Sequence, residues 1–107
     1  MDKKLFYRQG EVIIKPLEKG KIKEMLEQLK KKDNGVIAEG EQTGHLHLAN
    51  PETSTLYLGA NGNMFLDVDK KTDITHNEHK TLTVEPGEYE VYIQREYDEI
   101  EDMKVRD

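Results

Sequence analysis

Short apolar stretches separated by turn residues run along most of the chain, and within them apolar and polar positions alternate. Alternation with a period of two indicates β-strands, because successive side chains of a strand point to opposite faces of its sheet. We therefore predict strands at residues 6–14, 36–41, 45–49, 55–58, 64–68, 81–85 and 89–97. Turn signals at Asn50-Pro51, Gly59-Ala60-Asn61-Gly62 and Pro86-Gly87 separate several of these strands.

One segment follows a helical period instead. Between residues 19 and 32, apolar residues recur at spacings of three and four among lysines and glutamates, at Ile22, Met25, Leu26 and Leu29. This spacing predicts one amphipathic helix over 19–32 that covers one side of a sheet. One helix and about seven short strands indicate a mainly β fold, either a small β-barrel or a two-sheet sandwich.

Length and composition restrict the chain to one small domain. The 107 residues fit a single core, which we place in residues 1–98, and we expect the acidic tail at 99–107 to be frayed. Apolar residues make up 35% of the chain and charged residues 36%, so the core must be thin. Burial of the exposed edges of so small a sheet favours a homodimer.

Composition also restricts the kind of function. The absence of cysteine excludes thiolate metal sites and cysteine nucleophiles. Without a signal-peptide pattern or a stretch that could span a bilayer, we expect a cytoplasmic protein with no membrane partner. The net charge of −6 argues against binding long duplex nucleic acid, which needs a basic face, and leaves a small nucleotide or a short RNA as the expected ligand.

The strongest functional signal is the grouping of all histidines into two clusters, His45 with His47 and His76 with His79. Residues two apart in a strand point to the same side, so His45 and His47 present two imidazoles together, opposite Leu46 and Leu48. We predict a site at which both clusters meet. The alternative is that the two leucines are core contacts, while the imidazoles lie on a solvated face without a task.

Two kinds of chemistry suit four imidazoles. Metal-independent cleavage of an RNA-type phosphodiester needs a base for the ribose 2′-hydroxyl, an acid for the leaving 5′-oxygen and a cation near the phosphate. The predicted catalytic residues are then His45, His47, His76 and His79. Alternatively the same four residues hold zinc, iron, manganese or nickel. A third possibility is a non-catalytic module that binds a nucleotide or a protein.

Two arginines are expected on the same face of a predicted strand as apolar residues, Arg8 with Val12 and Arg95 with Ile93. An inward guanidinium needs a carboxylate or an anionic ligand, so phosphate binding and an internal ion pair are equally open. The predicted substrate-binding residues are Arg8, Arg95, Gln94 and Tyr97, the tyrosine as a surface for base stacking.

Four motifs together resemble a largely uncharacterised family of small prokaryotic and phage-associated proteins over residues 7–98: Gly44-His45-Leu46-His47, His76-Asn77-Glu78-His79, Pro86-Gly87-Glu88-Tyr89-Glu90-Val91 and Gln94-Arg95-Glu96-Tyr97. A looser resemblance is to small dimeric β-barrel ring nucleases, which degrade cyclic oligoadenylate messengers of type III CRISPR immunity without a metal. It implies that the four histidines supply acid and base and that Arg8 and Arg95 hold phosphates.

A second partial resemblance points to a metal instead. The stretch His45-x-His47-x₄-Glu52-x₆-Gly59 is similar to the first motif of the cupin family, which implies a metal-binding protein. The second cupin motif places its histidine after a Pro-Gly turn, whereas His76 and His79 precede Pro86-Gly87. Glu52 adjoins a proline in a predicted turn, which disfavours it as a ligand.

Overall fold

The computed structural model describes residues 6–39 and 44–94, which form ten strands and one short α-helix. In chain order the strands are β1 (Tyr7–Gln9), β2 (Val12–Pro16), β3 (Leu29–Lys32), β4 (Val36–Glu39), β5 (Leu46–Ala49), β6 (Ser54–Gly59), β7 (Met64–Val68), β8 (Thr72–Thr75), β9 (Leu82–Val84) and β10 (Gly87–Ile93). A six-stranded sheet has the order β1-β2-β10-β7-β6-β3, and a four-stranded sheet has the order β4-β5-β8-β9. The predicted mainly β fold with one helix is confirmed, as two antiparallel sheets; the described residues do not close into a barrel.

One cluster of buried side chains joins the two sheets. Val12, Ile14 and Leu66 from the larger sheet and Ile74 and Val84 from the smaller one are all 0% exposed. Burying an aliphatic side chain of this size stabilises the fold by about 1.5–3 kcal/mol. The two sheets therefore share one core.

The predicted helix over 19–32 is wrong in its second half. The helix α1 spans only Lys21–Met25, a 3₁₀ turn follows at Leu26–Gln28, and the lysine-rich remainder is the strand β3. Within α1 only Ile22 is buried, and Leu26 is 42% exposed, so a longer helix would bury little apolar surface. Antiparallel pairing of β3 with β6 supplies backbone hydrogen bonds instead, and the exposed Lys30 and Lys31 leave the sheet edge charged.

The predicted strand over 6–14 is a hairpin. The chain turns at Gly10 and Glu11, and Gly10 has a φ of +59°, a conformation that favours glycine. The alternation of inward and outward side chains therefore changes at the turn. After it Val12 and Ile14 are buried, whereas before it Gln9 is 3% exposed and Arg8 lies on the surface. The inward placement predicted for Arg8 is wrong, because the prediction treated residues 6–14 as one continuous strand without a turn.

The strand predicted at 64–68 is present with the same ends, the other predicted strands are present with shifted ends, and β8 was not predicted. β8 contains one large apolar residue, Ile74, so its alternation is weak in the sequence, although Thr72 beside it is also buried. The predicted strand ends at 40–41 and 95–97 and the acidic tail lie outside the described residues. No helix among the described residues is long and apolar enough to cross a membrane.

Truncation of the shared core should cost far more stability than the same truncation at the surface. We expect Leu66→Ala to lower the free energy of unfolding by about 2–5 kcal/mol, because it leaves a cavity between the sheets. The matched control is Leu58→Ala on the neighbouring strand, where the side chain is 38% exposed; its expected cost is at most about 1 kcal/mol. Urea unfolding measures both, and equal losses would contradict this position of the core.

Candidate functional site

The four histidines meet where β5 lies beside β8 and the loop that follows it. Leu48 pairs with Thr75, so the adjacent positions, His47 and His76, come together at the end of this ladder. The centroids of the His47 and His76 rings are 4.2 Å apart, those of His76 and His79 4.5 Å, and those of His45 and His76 5.7 Å. We call these four residues the histidine cluster, and antiparallel pairing is what assembles it from two distant stretches of chain.

The cluster extends from the interior to the surface. His47 is 1% exposed, whereas its strand neighbours Leu46 and Leu48 are only half-buried. The alternative in which these leucines are the core contacts and the imidazoles are solvated is therefore wrong for His47. His45 and His76 are half-buried, and His79 is exposed.

The side chain of Gln9 fixes the tautomer of His47. Its amide nitrogen donates to the carbonyl oxygens of Ile74, at 2.8 Å, and Lys80, at 2.9 Å. Its Oε1 therefore faces His47 Nδ1, at 2.8 Å. Because an amide oxygen only accepts, Nδ1 must carry a proton, and the neutral ring has its lone pair on Nε2. That buried Nε2 has no hydrogen-bond partner.

His76 adopts the opposite tautomer. Its Nδ1 accepts the backbone N–H groups of Glu78, at 2.9 Å, and His79, at 3.1 Å. A neutral imidazole that accepts at Nδ1 carries its proton on Nε2. The cluster therefore places a ring with a free lone pair next to a ring with an available N–H.

Two carboxylates border the cluster. Glu11 Oε1 lies 3.4 Å from His47 Nε2, and Glu78 Oε2 lies 3.7 Å from His45 Nδ1. Glu11 comes from the turn between β1 and β2, where its carbonyl oxygen accepts the backbone N–H of Gln94 at 2.7 Å. Neither Gln9 nor Glu11 was a sequence candidate, because the predicted strand over 6–14 hid the turn that brings both to the cluster.

Two imidazoles have a lowered pKa. Desolvation by burial is the main cause for His47, and neighbouring His76 and His79 lower its pKa further, against the opposing charge of Glu11. Desolvation followed by His79 and His45 lowers the pKa of His76. Burial raises the pKa of the Glu11 carboxyl, but its own backbone amide and His47 outweigh this and leave that pKa lowered. Near neutral pH the two rings are uncharged beside an ionised carboxylate.

The predicted substrate-binding residues lie at the border of the cluster or outside the described residues. Arg8 Nε donates to the Gly10 carbonyl oxygen at 3.0 Å, and Gly10 packs so closely on His79 that a Cβ there would lie 2.6 Å from His79 Nε2. Gln94 is half-buried beside the turn that carries Glu11. Arg95 and Tyr97 lie outside the described residues.

The position of Glu52, the carboxylate of the cupin-like motif, does not support a role as a metal ligand. Glu52 is exposed in the turn between β5 and β6, where its backbone N–H donates to Asn50 Oδ1 at 2.9 Å. Across residues 6–39 and 44–94, no three His, Asp or Glu side chains are placed to hold a metal ion together. The tautomer of His76 also turns its Nδ1 lone pair to the backbone.

Comparison with known proteins finds one family. A family model described as "Domain of unknown function (DUF8820)" matches residues 8–94, which include both histidine pairs and all but the first residue of the first hairpin. No curated protein and no solved structure matches the chain.

The lowered pKa values of His47 and His76 predict a loss of stability in mild acid. Because both lie below the ordinary value of 6.5, the folded state binds fewer protons than the unfolded state. Stability is therefore complete well above pH 6.5 and falls as the pH drops through and below it, by at most about 1.4 kcal/mol per pH unit for the buried His47 and by less for His76, which solvent screens.

Urea unfolding between about pH 7.5 and pH 5 measures this slope. NMR titration should show the ring C–H signals of His47 and His76 changing with midpoints below pH 6.5. Unfolding in concentrated urea is the control, because the midpoints of both rings should then return to about pH 6.5. Stability that rises as the pH falls through this range would contradict the prediction.

Proposed function

The chain belongs to the DUF8820 family, whose description assigns no activity, and we propose that it cleaves an RNA-type phosphodiester by metal-independent histidine catalysis. The observation that carries the proposal is the pair of opposite tautomers at the centre of the histidine cluster. A proton acceptor, His47 Nε2, and a hydrogen-bond donor, His76 Nε2–H, lie on rings whose centroids are 4.2 Å apart. Cyclic oligoadenylates are the candidate substrates.

His47 suits the role of the base. Its lone pair is on Nε2, its orientation is fixed by Gln9, and its lowered pKa keeps the ring unprotonated near neutral pH. In the proposed reaction Nε2 takes the proton of the ribose 2′-hydroxyl as the 2′-oxygen attacks phosphorus.

His76 and His45 suit the other two tasks. The neutral ring of His76 donates Nε2–H to a phosphoryl oxygen on which negative charge grows. His45, whose Nδ1 lies 3.7 Å from the Glu78 carboxylate, is the proposed acid and transfers a proton to the 5′-oxygen as the bond from phosphorus to that oxygen breaks. The products are a 2′,3′-cyclic phosphate and a 5′-hydroxyl. His47 takes up one proton and His45 releases one, so the step balances.

Charge around the cluster restricts how a phosphate binds. Glu11 and Glu78 repel an anion, whereas Arg8, whose Nε donates to Gly10 in the turn that packs against His79, brings a positive charge to this border. The acid and base roles also predict how the rate depends on pH. The rate should follow a bell-shaped pH profile, because the base must be neutral and the acid protonated.

The proposal is tested by incubating protein without a histidine tag with cyclic and linear oligoadenylates in excess EDTA. We expect products with 2′,3′-cyclic phosphate ends, and rates about 10²–10⁴-fold lower in His47→Ala and His76→Ala, because each removes a group that acts in proton transfer or charge stabilisation. Chromatography with mass detection measures the products.

Two controls accompany this assay. Glu52→Ala should retain the activity, since this exposed residue is a ligand only under the cupin-like hypothesis. Substrates that lack the 2′-hydroxyl should bind without being cleaved. Absence of product in EDTA together with recovery on adding zinc, iron, manganese or nickel would favour the metal-dependent alternative, and tight binding without cleavage would favour a binding module.

A further inference from the structure

The contact between the half-exposed Glu11 and the buried His47 joins two acceptors. The proton of the neutral His47 ring is on Nδ1, in the hydrogen bond to Gln9, so Nε2 offers a lone pair. The carboxylate oxygen that faces it 3.4 Å away also only accepts, and Nε2 makes no hydrogen bond although His47 is 1% exposed. A cation placed between the carboxylate and Nε2 would give the buried lone pair of Nε2 a partner and would balance the charge of Glu11.

The spacing of the two atoms fits a transition metal. Ligands about 2.0–2.2 Å from a tetrahedral zinc ion are separated from each other by about 3.4 Å. Glu11 Oε1 and His47 Nε2 are 3.4 Å apart. Gln9 also holds Nδ1–H, as oxygen acceptors commonly do for the far nitrogen of a metal-bound histidine.

We propose that Glu11 and His47 form a binding site for a divalent transition-metal ion of the zinc class. An imidazole ligand favours such ions over magnesium and calcium, which prefer oxygen. Because no third described side chain is already in place, the site offers two fixed ligands. His79, exposed and with its ring centroid 5.9 Å from that of His47, is the nearby side chain that could serve as a further ligand, and water would fill the remaining positions.

The metal would inhibit the activity proposed above, and this part of the inference rests on that proposed function. An ion on His47 Nε2 occupies the lone pair that takes the substrate proton. Zinc should therefore compete with catalysis in the absence of EDTA.

Zinc titration by calorimetry tests the site without any substrate, on the full chain without a histidine tag near pH 7. We expect one saturable site in the wild type and at least tenfold weaker binding in Glu11→Gln, which keeps the shape of the side chain but removes its charge. Glu78→Gln is the matched control, because it removes the carboxylate of the exposed pair with His45 in the same cluster, and it should change the zinc affinity less than twofold.

Cobalt provides a second measurement that needs no variant. Bound Co²⁺ should give visible absorption bands typical of a four-coordinate site and should broaden the NMR signals of the His47 ring first. Equal zinc affinity in the wild type and Glu11→Gln, or broadening that spares His47, would overturn the site.

The cleavage assay separates this inference from the proposed function. Zinc that binds as described and inhibits supports both. Zinc that binds and activates would contradict the inhibitory role and the metal-independent mechanism but leave the metal ligands in place. Absence of zinc binding with intact cleavage in EDTA would overturn the metal site alone.

Discussion

A buried hydrogen bond from His47 Nδ1–H to Gln9 Oε1 is the interaction on which the rest of the site depends. It connects β1 of the larger sheet with β5 of the smaller one, and the same amide group holds the carbonyl oxygens of Ile74 and Lys80. Loss of a buried partner leaves a polar group unsatisfied, which costs about 1–3 kcal/mol. Gln9 thus sets the relative position of both sheets and the loop, and it directs the His47 lone pair into the cluster.

The histidine cluster also shows why neutrality matters to this fold. Adjacent rings separated by 4–6 Å between centroids would repel each other strongly if several were charged. Desolvation of His47 and the backbone N–H groups donated to His76 both disfavour protonation, so packing and chemistry require the same charge state.

Much of the fold could be predicted from the sequence, because most strands alternate clearly and turn residues separate them. The meeting of His47 with His76 was expected only from the grouping of all four histidines into two clusters, because β8, which pairs with β5 and brings the two rings together, was not predicted. Glu11 was out of reach, because nothing in the local pattern distinguishes a strand that continues from one that turns at Gly10. The second half of the predicted helix was wrong for a related reason. Residues 29–32 have a helical spacing of apolar positions, but they are stabilised as a strand by hydrogen bonds to β6, and a distant partner strand is not visible in the local pattern.

The lysines of β3 have a consequence for how copies of this chain could associate. If two chains extended their larger sheets through this edge in antiparallel fashion, Lys30 and Lys31 of one would approach the same residues of the other. Like charges across a strand pair oppose such growth, so lateral addition stops at β3. Among the described residues, the charge of Lys30 and Lys31 therefore limits the growth of the larger sheet through β3.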